Sequence, residues 1–105
     1  MIRCIEIWFD RAHFEDGRRA LYSQIDQRWI VQPLHLNDGV ELPRILIETT
    51  AISLPFLYGF AVLWLGKGRR FSVRSGDKEL HLENVSEESA KILIKEFLAS
   101  EKDGQ

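Results

Sequence analysis

The stretch Ala51–Gly66, AISLPFLYGFAVLWLG, sits in the longest uncharged run of the chain and limits its folds more than any other. A surface helix normally carries an apolar stripe roughly 100° wide and a polar back. Here Phe56, Leu57, Tyr58, Phe60, Ala61, Val62, Leu63, Trp64 and Leu65 follow with only Gly59 between, and no polar back exists. Ser53 is placed to cap such a helix, and Pro55 is tolerated in its first turn. Gly66 is placed to end it, with Lys67, Arg69 and Arg70 where the helix dipole favours positive charge. A helix apolar all round must be covered on two sides, by a sheet on one and by another helix or a second subunit on the other.

The competing reading is a single-pass membrane protein. Thr49–Gly66 is 18 uncharged residues followed by a basic cluster, at the lower length limit for a span. Pro55 and Gly59 inside the run, Thr49, Thr50 and Ser53 at its start, and soluble elements on both flanks favour the buried helix.

The 105 residues suit one globular domain, 1–100, with 101–105 as a solvated tail. A net charge of −2 gives no electrostatic case for nucleic acid. Cys4 is the only cysteine, which excludes an internal disulfide and suits a reducing, cytoplasmic setting. Arg3 and Glu6 fall where a signal peptide needs its apolar centre, so export by that route is not expected.

Ile2–Phe9 alternates as a strand, with Ile5, Ile7 and Phe9 on one face and Cys4, Glu6 and Trp8 on the other. From Asp10 to Gln27, Phe14, Leu21, Tyr22 and Ile25 recur at helical spacing, although Asp16-Gly17 also reads as a turn. Strands follow around Trp29-Ile30-Val31 and Ile45-Leu46-Ile47. Asn37-Asp38-Gly39 turns the chain between them and sets Pro33 opposite Pro43, so the connection protrudes as a loop or short ribbon. After the apolar helix, a two-residue turn at Gly76-Asp77 aligns Phe71 with Leu82, Val73 with Leu80 and Arg74 with Glu79. A one-residue slip destroys every match. The last helix starts at Ser86, with Glu87 and Glu88 in its first turn and Ala90, Leu93, Ile94, Phe97 and Leu98 as its core stripe.

That order predicts an α+β fold: a two-layer sandwich with a mixed sheet of about four or five strands and two or three helices. The apolar LPFLYGFAVLWL helix, the RFSVRSGDKELHLEN hairpin and the SEESAKILIKEFL helix together resemble the small αβ components found beside bacterial protease and effector genes. The resemblance covers the C-terminal half and implies no catalytic or binding residue.

Candidate chemistry is sparse. His13, His35, His81 and Cys4 lie on four different elements and share no metal-binding or catalytic spacing, so no metal, cofactor or catalytic residue is expected. Gly66-Lys67-Gly68-Arg69-Arg70 follows a helix, whereas phosphate loops precede one; its cations serve the helix end, with a minor role toward an acidic partner open. Glu48, between an apolar strand and the apolar helix, is the carboxylate to inspect for a raised pKa.

The leading functional reading is a non-enzymatic interaction module, a homodimer that associates through apolar surface left over from packing the central helix. A protein partner is a further possibility of the same kind. The alternative is a small-ligand-binding protein with an aromatic-lined pocket between helices and sheet. Tyr58, Phe60, Leu63, Trp64 and Glu48 are the candidate binding residues. Trp8, on the face away from Ile5 and Ile7, is expected to stand outside the main core.

Overall fold

Alternation along Arg3–Trp8 sets the architecture, because this segment pairs on both sides. The computed structural model describes residues 3–31 and 42–103. In it Arg3–Trp8 is strand β1, at the middle of a five-stranded sheet that also holds β2 (Ile30–Val31), β3 (Arg44–Thr49), β4 (Phe71–Ser75) and β5 (Lys78–Leu82). The order is β2-β3-β1-β4-β5. Every ladder is antiparallel, which corrects the expected mixed sheet. β3 and β4 do run in the same direction, joined by a helical crossover. β1 fills the slot between them and turns one parallel pair into two antiparallel ladders.

One face of this sheet carries Ile5, Ile7, Ile30, Ile45, Ile47, Phe71, Val73 and Leu82, all buried. Helices α1 (Phe14–Gln24), α2 (Leu54–Gly66) and α3 (Glu87–Asp103) join this core. α2 is the middle helix, packed against α1 on one side and α3 on the other. The result is the two-layer α+β sandwich that the pattern predicts.

α1 runs straight through Asp16-Gly17, so the turn reading there is excluded. Gly17 is needed for space. A Cβ at that position would lie 2.5 Å from the Phe9 ring. Phe9 in turn meets Phe60 and Trp64 edge to face, at centroid separations of 5.9 and 5.5 Å.

α2 is shorter than the uncharged run. Thr49 ends β3, residues 51–53 form a turn, and 13 residues are helical. At 1.5 Å per residue that is about 20 Å, against about 30 Å for a bilayer core. Among the described residues no helix is long and apolar enough to cross a membrane.

Both helix ends differ from expectation. Ser53 stands at the N-cap but makes no capping bond. Its buried hydroxyl instead donates to Glu48 O at 3.1 Å and accepts from Thr50 N at 2.8 Å, tying the helix start to the end of β3. At the C-terminus the left-handed residue is Gly68, with φ of 77°, and its N–H reaches Leu65 O at 3.0 Å. Gly66 remains inside the helix because the chain reverses two residues later.

Trp29 belongs to a 3-10 turn (Gln27–Trp29) that leads into β2. Ile30 pairs with Ile47, one residue away from the register implied by Pro33 opposite Pro43. The observed register sets two core isoleucines on one face, where the other would pair Ile30 with Leu46. Pro33, His35 and the turn at 37–39 lie outside the described residues.

The β4–β5 hairpin has the expected register throughout, from Ser75–Lys78 to Phe71–Leu82. Gly76 carries the positive φ, 64°, at the first turn position, as a type II′ turn requires. In α3, Ser86 Oγ accepts from Ser89 N at 3.2 Å; Ala90, Ile94 and Leu98 are buried. The helix continues through Asp103.

Candidate functional site

The five candidate residues do not converge. Phe60 and Trp64 point into the core, at 0% and 1% exposure, and stack on each other at 6.2 Å. Trp64 spends its polar atom internally, donating from Nε1 to Arg70 O at 3.0 Å. Tyr58 is half-buried beside α3, and burial pushes its hydroxyl pKa up. Leu63 is exposed on the outer side of α2. Glu48 lies on the opposite sheet face, across the ladder from Cys4. The space between helix layer and sheet, where a pocket lined by Trp64, Tyr58 and Phe60 is expected, holds packed aromatic rings.

Three surfaces remain. The first is the outer side of α2. Leu57, Phe60, Ala61 and Trp64 fill its inner face, and α1 and α3 cover its flanks. Phe56 and Leu63 stay exposed at 45% and 38%, with Ile52 just before the helix at 70%. Residues 52, 56 and 63 fall on one side at helical spacing. No charged residue occurs from Leu54 to Gly66, and the polar side chain of Gln24 is placed against the ridge, its Oε1 beside Gly59. Trp29 backs it, its ring 5.5 Å from that of Phe56.

The second is a pair of grooves beside the ridge. Between α2 and α3, one of about 310 Å³ is lined by Tyr58, Val62, Glu87 and Lys91 among others. Between α1 and α2, another of about 300 Å³ is lined by Arg19, Leu63, Trp64, Lys67 and Arg69 with Asp16.

The third is the sheet face opposite the helices. Trp8 stands there, as its alternation predicts, half-buried between two guanidiniums. Arg74 lies 4.1 Å and Arg44 5.7 Å from its ring centroid, within cation–π range. Glu6 accepts from Trp8 Nε1 at 2.6 Å and from Arg44 at 2.9 Å. Arg74 Nε sits 3.5 Å from Glu79. It is shielded from water with no hydrogen-bond partner among the described residues, so that pairing is electrostatic only. Trp8 is therefore already engaged by its own chain. Cys4 is exposed on this face, the side on which its alternation puts it. His81, also exposed, joins Ser72 Oγ at 3.0 Å and Glu83 at 3.2 Å.

Among the described residues no group of three or more His, Cys, Asp or Glu side chains is arranged to hold a metal ion. Sequence reasoning misses two contributors to these surfaces. They are Ile52 and Arg19. Only the antiparallel seating of α1 against α2 brings Arg19 beside Lys67, and no local signal encodes that. Compared with known proteins, the chain matches no family model, no curated protein and no solved structure at a significant level.

Proposed function

We propose that the chain is a small interaction module that works as a homodimer through the outer side of α2. The observation that carries this is the ridge of Ile52, Phe56 and Leu63 on a helix without a charged residue. Taking about 200 Å² for a large apolar side chain, these three expose about 300 Å² per subunit. A standard interface of about 800 Å² per partner, just over half apolar, needs about 450 Å². Pro55, Tyr58 and Val62 beside the ridge supply the remainder. Burying the three ridge residues in both subunits is worth about 15 kcal/mol at 25 cal/mol per Å². Association costs of about 4–15 kcal/mol offset from about a quarter to all of that, so the dimer is a concentration-dependent one. A two-fold interface is the simplest arrangement, because one self-complementary patch serves both subunits.

The resemblance to effector-associated αβ components belongs to the same proposal, since such a component acts by contact. We assign it to the cytoplasm, where the exposed thiol of Cys4 stays reduced.

Sedimentation over a range of concentrations tests the proposal. The expected result is a reversible monomer–dimer equilibrium for the wild type and a monomer for Leu63→Glu, with the same far-UV circular dichroism. Leu63 is exposed in the single subunit, so the charge costs the monomer little. A wild type that stays monomeric at high concentration, or a Leu63→Glu dimer of undiminished affinity, overturns it.

A further inference from the structure

We propose that the groove between α1 and the C-terminal half of α2 binds a small phosphate-bearing molecule. Most arginines elsewhere on the surface have a carboxylate partner. Arg18 pairs with Glu15, Arg28 with Asp26, Arg44 with Glu6, Arg70 with Asp10 and Arg74 with Glu79. Arg19 and Lys67, both exposed and both lining the groove, have no such carboxylate among the described residues. Lys67 follows the C-terminus of α2 and offsets its dipole, and neither it nor Arg19 has a carboxylate counter-ion among the described residues.

Arg69 is the third cation there, and it is held in place. Its guanidinium donates to His13 Nδ1, lies 5.5 Å from the Trp64 ring centroid and approaches Asp16 at 3.8 Å. An arginine fixed on three sides loses little freedom when it meets an anion, which favours binding. Asp16 is the only carboxylate on the groove and is already turned to Arg69. The lining therefore carries a formal excess of two positive charges, the complement of a phosphate monoester dianion.

Leu63 supplies exposed apolar surface beside the cations, over the buried Ala20 and Trp64, which suits an apolar or aromatic body on the phosphate. About 300 Å³ is the lower end of ligand-pocket volumes. Of the other polar groups on the lining, the Ser23 hydroxyl donates to Ala20 O at 2.7 Å and Asp16 faces Arg69.

The probe is phenyl phosphate, titrated into the isotope-labelled full chain and followed by NMR at the Trp64 indole N–H and the Lys67 amide. Saturable shifts at millimolar concentration or below are expected, with benzoate at least tenfold weaker. Replacing both Arg19→Gln and Lys67→Gln, on exposed positions that leave the core untouched, weakens phenyl phosphate by at least tenfold. Asp16→Asn tightens it several-fold. No saturable shift up to about 10 mM, benzoate binding as tightly, or an undiminished affinity in the double variant overturns the proposal. Phe56→Glu, outside the groove, separates this site from the dimer. It breaks the subunit contact and, although Leu63 borders both surfaces, does not weaken the titration, so either proposal can fail alone.

Discussion

Gly17→Ala is a sharp test of how α1 sits on the sheet. In an exposed helix interior the change would stabilise by about 1 kcal/mol, since alanine is the better helix former. Here the new methyl would sit 2.5 Å from two carbons of the Phe9 ring and 2.9 Å from a third, where carbon–carbon contacts want about 3.5–4.0 Å. About 1 Å must be found. Phe9 has little to yield: it is 6% exposed, wedged edge-on against Phe60 and Trp64, and its N–H is bonded to Pro43 O at 2.9 Å. Overpacking of this kind costs about 1–3 kcal/mol, and a ring that cannot turn places it at the upper end. The net expectation is about 2 kcal/mol of lost stability, or about 10 °C in Tm for a domain of this size. Urea unfolding by far-UV circular dichroism measures it, with an unchanged m-value. Gly66→Ala is the control, because a Cβ there meets nothing within 4 Å, and it is neutral or stabilising. Phe9→Leu combined with Gly17→Ala recovers part of the loss through coupling of the two sites. A Gly17→Ala protein as stable as the wild type refutes the packing argument.

The hairpin supplies a second test. Gly76→Val forces a β-branched residue to φ near 64° and costs about 1–3 kcal/mol, whereas Asp77→Asn, a turn-compatible residue, stays within about 0.5 kcal/mol of wild type by urea melts. Trp8→Ala removes the plate between Arg44 and Arg74 and is expected to cost about 1–2 kcal/mol by the same assay, while Cys4→Ser on the same face is near neutral. For pH, the Asp26 carboxylate accepts from Arg28 N at 2.9 Å, and that bond holds its pKa below the usual value. A depressed folded-state pKa means stability present at neutral pH and lost as pH falls through the lowered value. NMR titration of the carboxyl carbon therefore gives a midpoint below about 3.9, and Arg28→Pro, which removes the N–H, returns it toward that value.

Legibility in the sequence follows how local each cause is. The β4–β5 hairpin depends on neighbouring residues only, and its cross-strand pairs identify register and turn together. The Ser86 start of α3 and the inward side of β1 are local too. Gly17 shows where local reading stops. Beside Asp16 it reads as a turn, and its actual reason is the Phe9 ring, which arrives from another element. Ser53 shows the same limit: a good capping residue whose hydroxyl is claimed by Glu48 O. The direction of the sheet also needed more than pattern, because the insertion of β1 between β3 and β4 leaves no trace in periodicity. For the surfaces, uninterrupted apolarity made the α2 ridge foreseeable in outline. Phe60 could not be told from Phe56, since only the neighbours of the helix decide which side is inside.

The central place of β1 has a consequence for synthesis on the ribosome. This strand is made before both of its partners, and β4 is translated only after α2 is complete. At about 5–20 residues per second, β1 can pair with β3 once Thr49 is made, but its other edge waits on the order of several seconds until Ser75 is made. α2 meanwhile carries Phe60 and Trp64 with only part of the sheet to lie on. The nascent chain thus presents its most adhesive helix before its own seat exists, and the final hairpin is the event that ends this exposure. Slowing translation between codons 66 and 82 is expected to lower soluble yield even when the finished fold is unchanged.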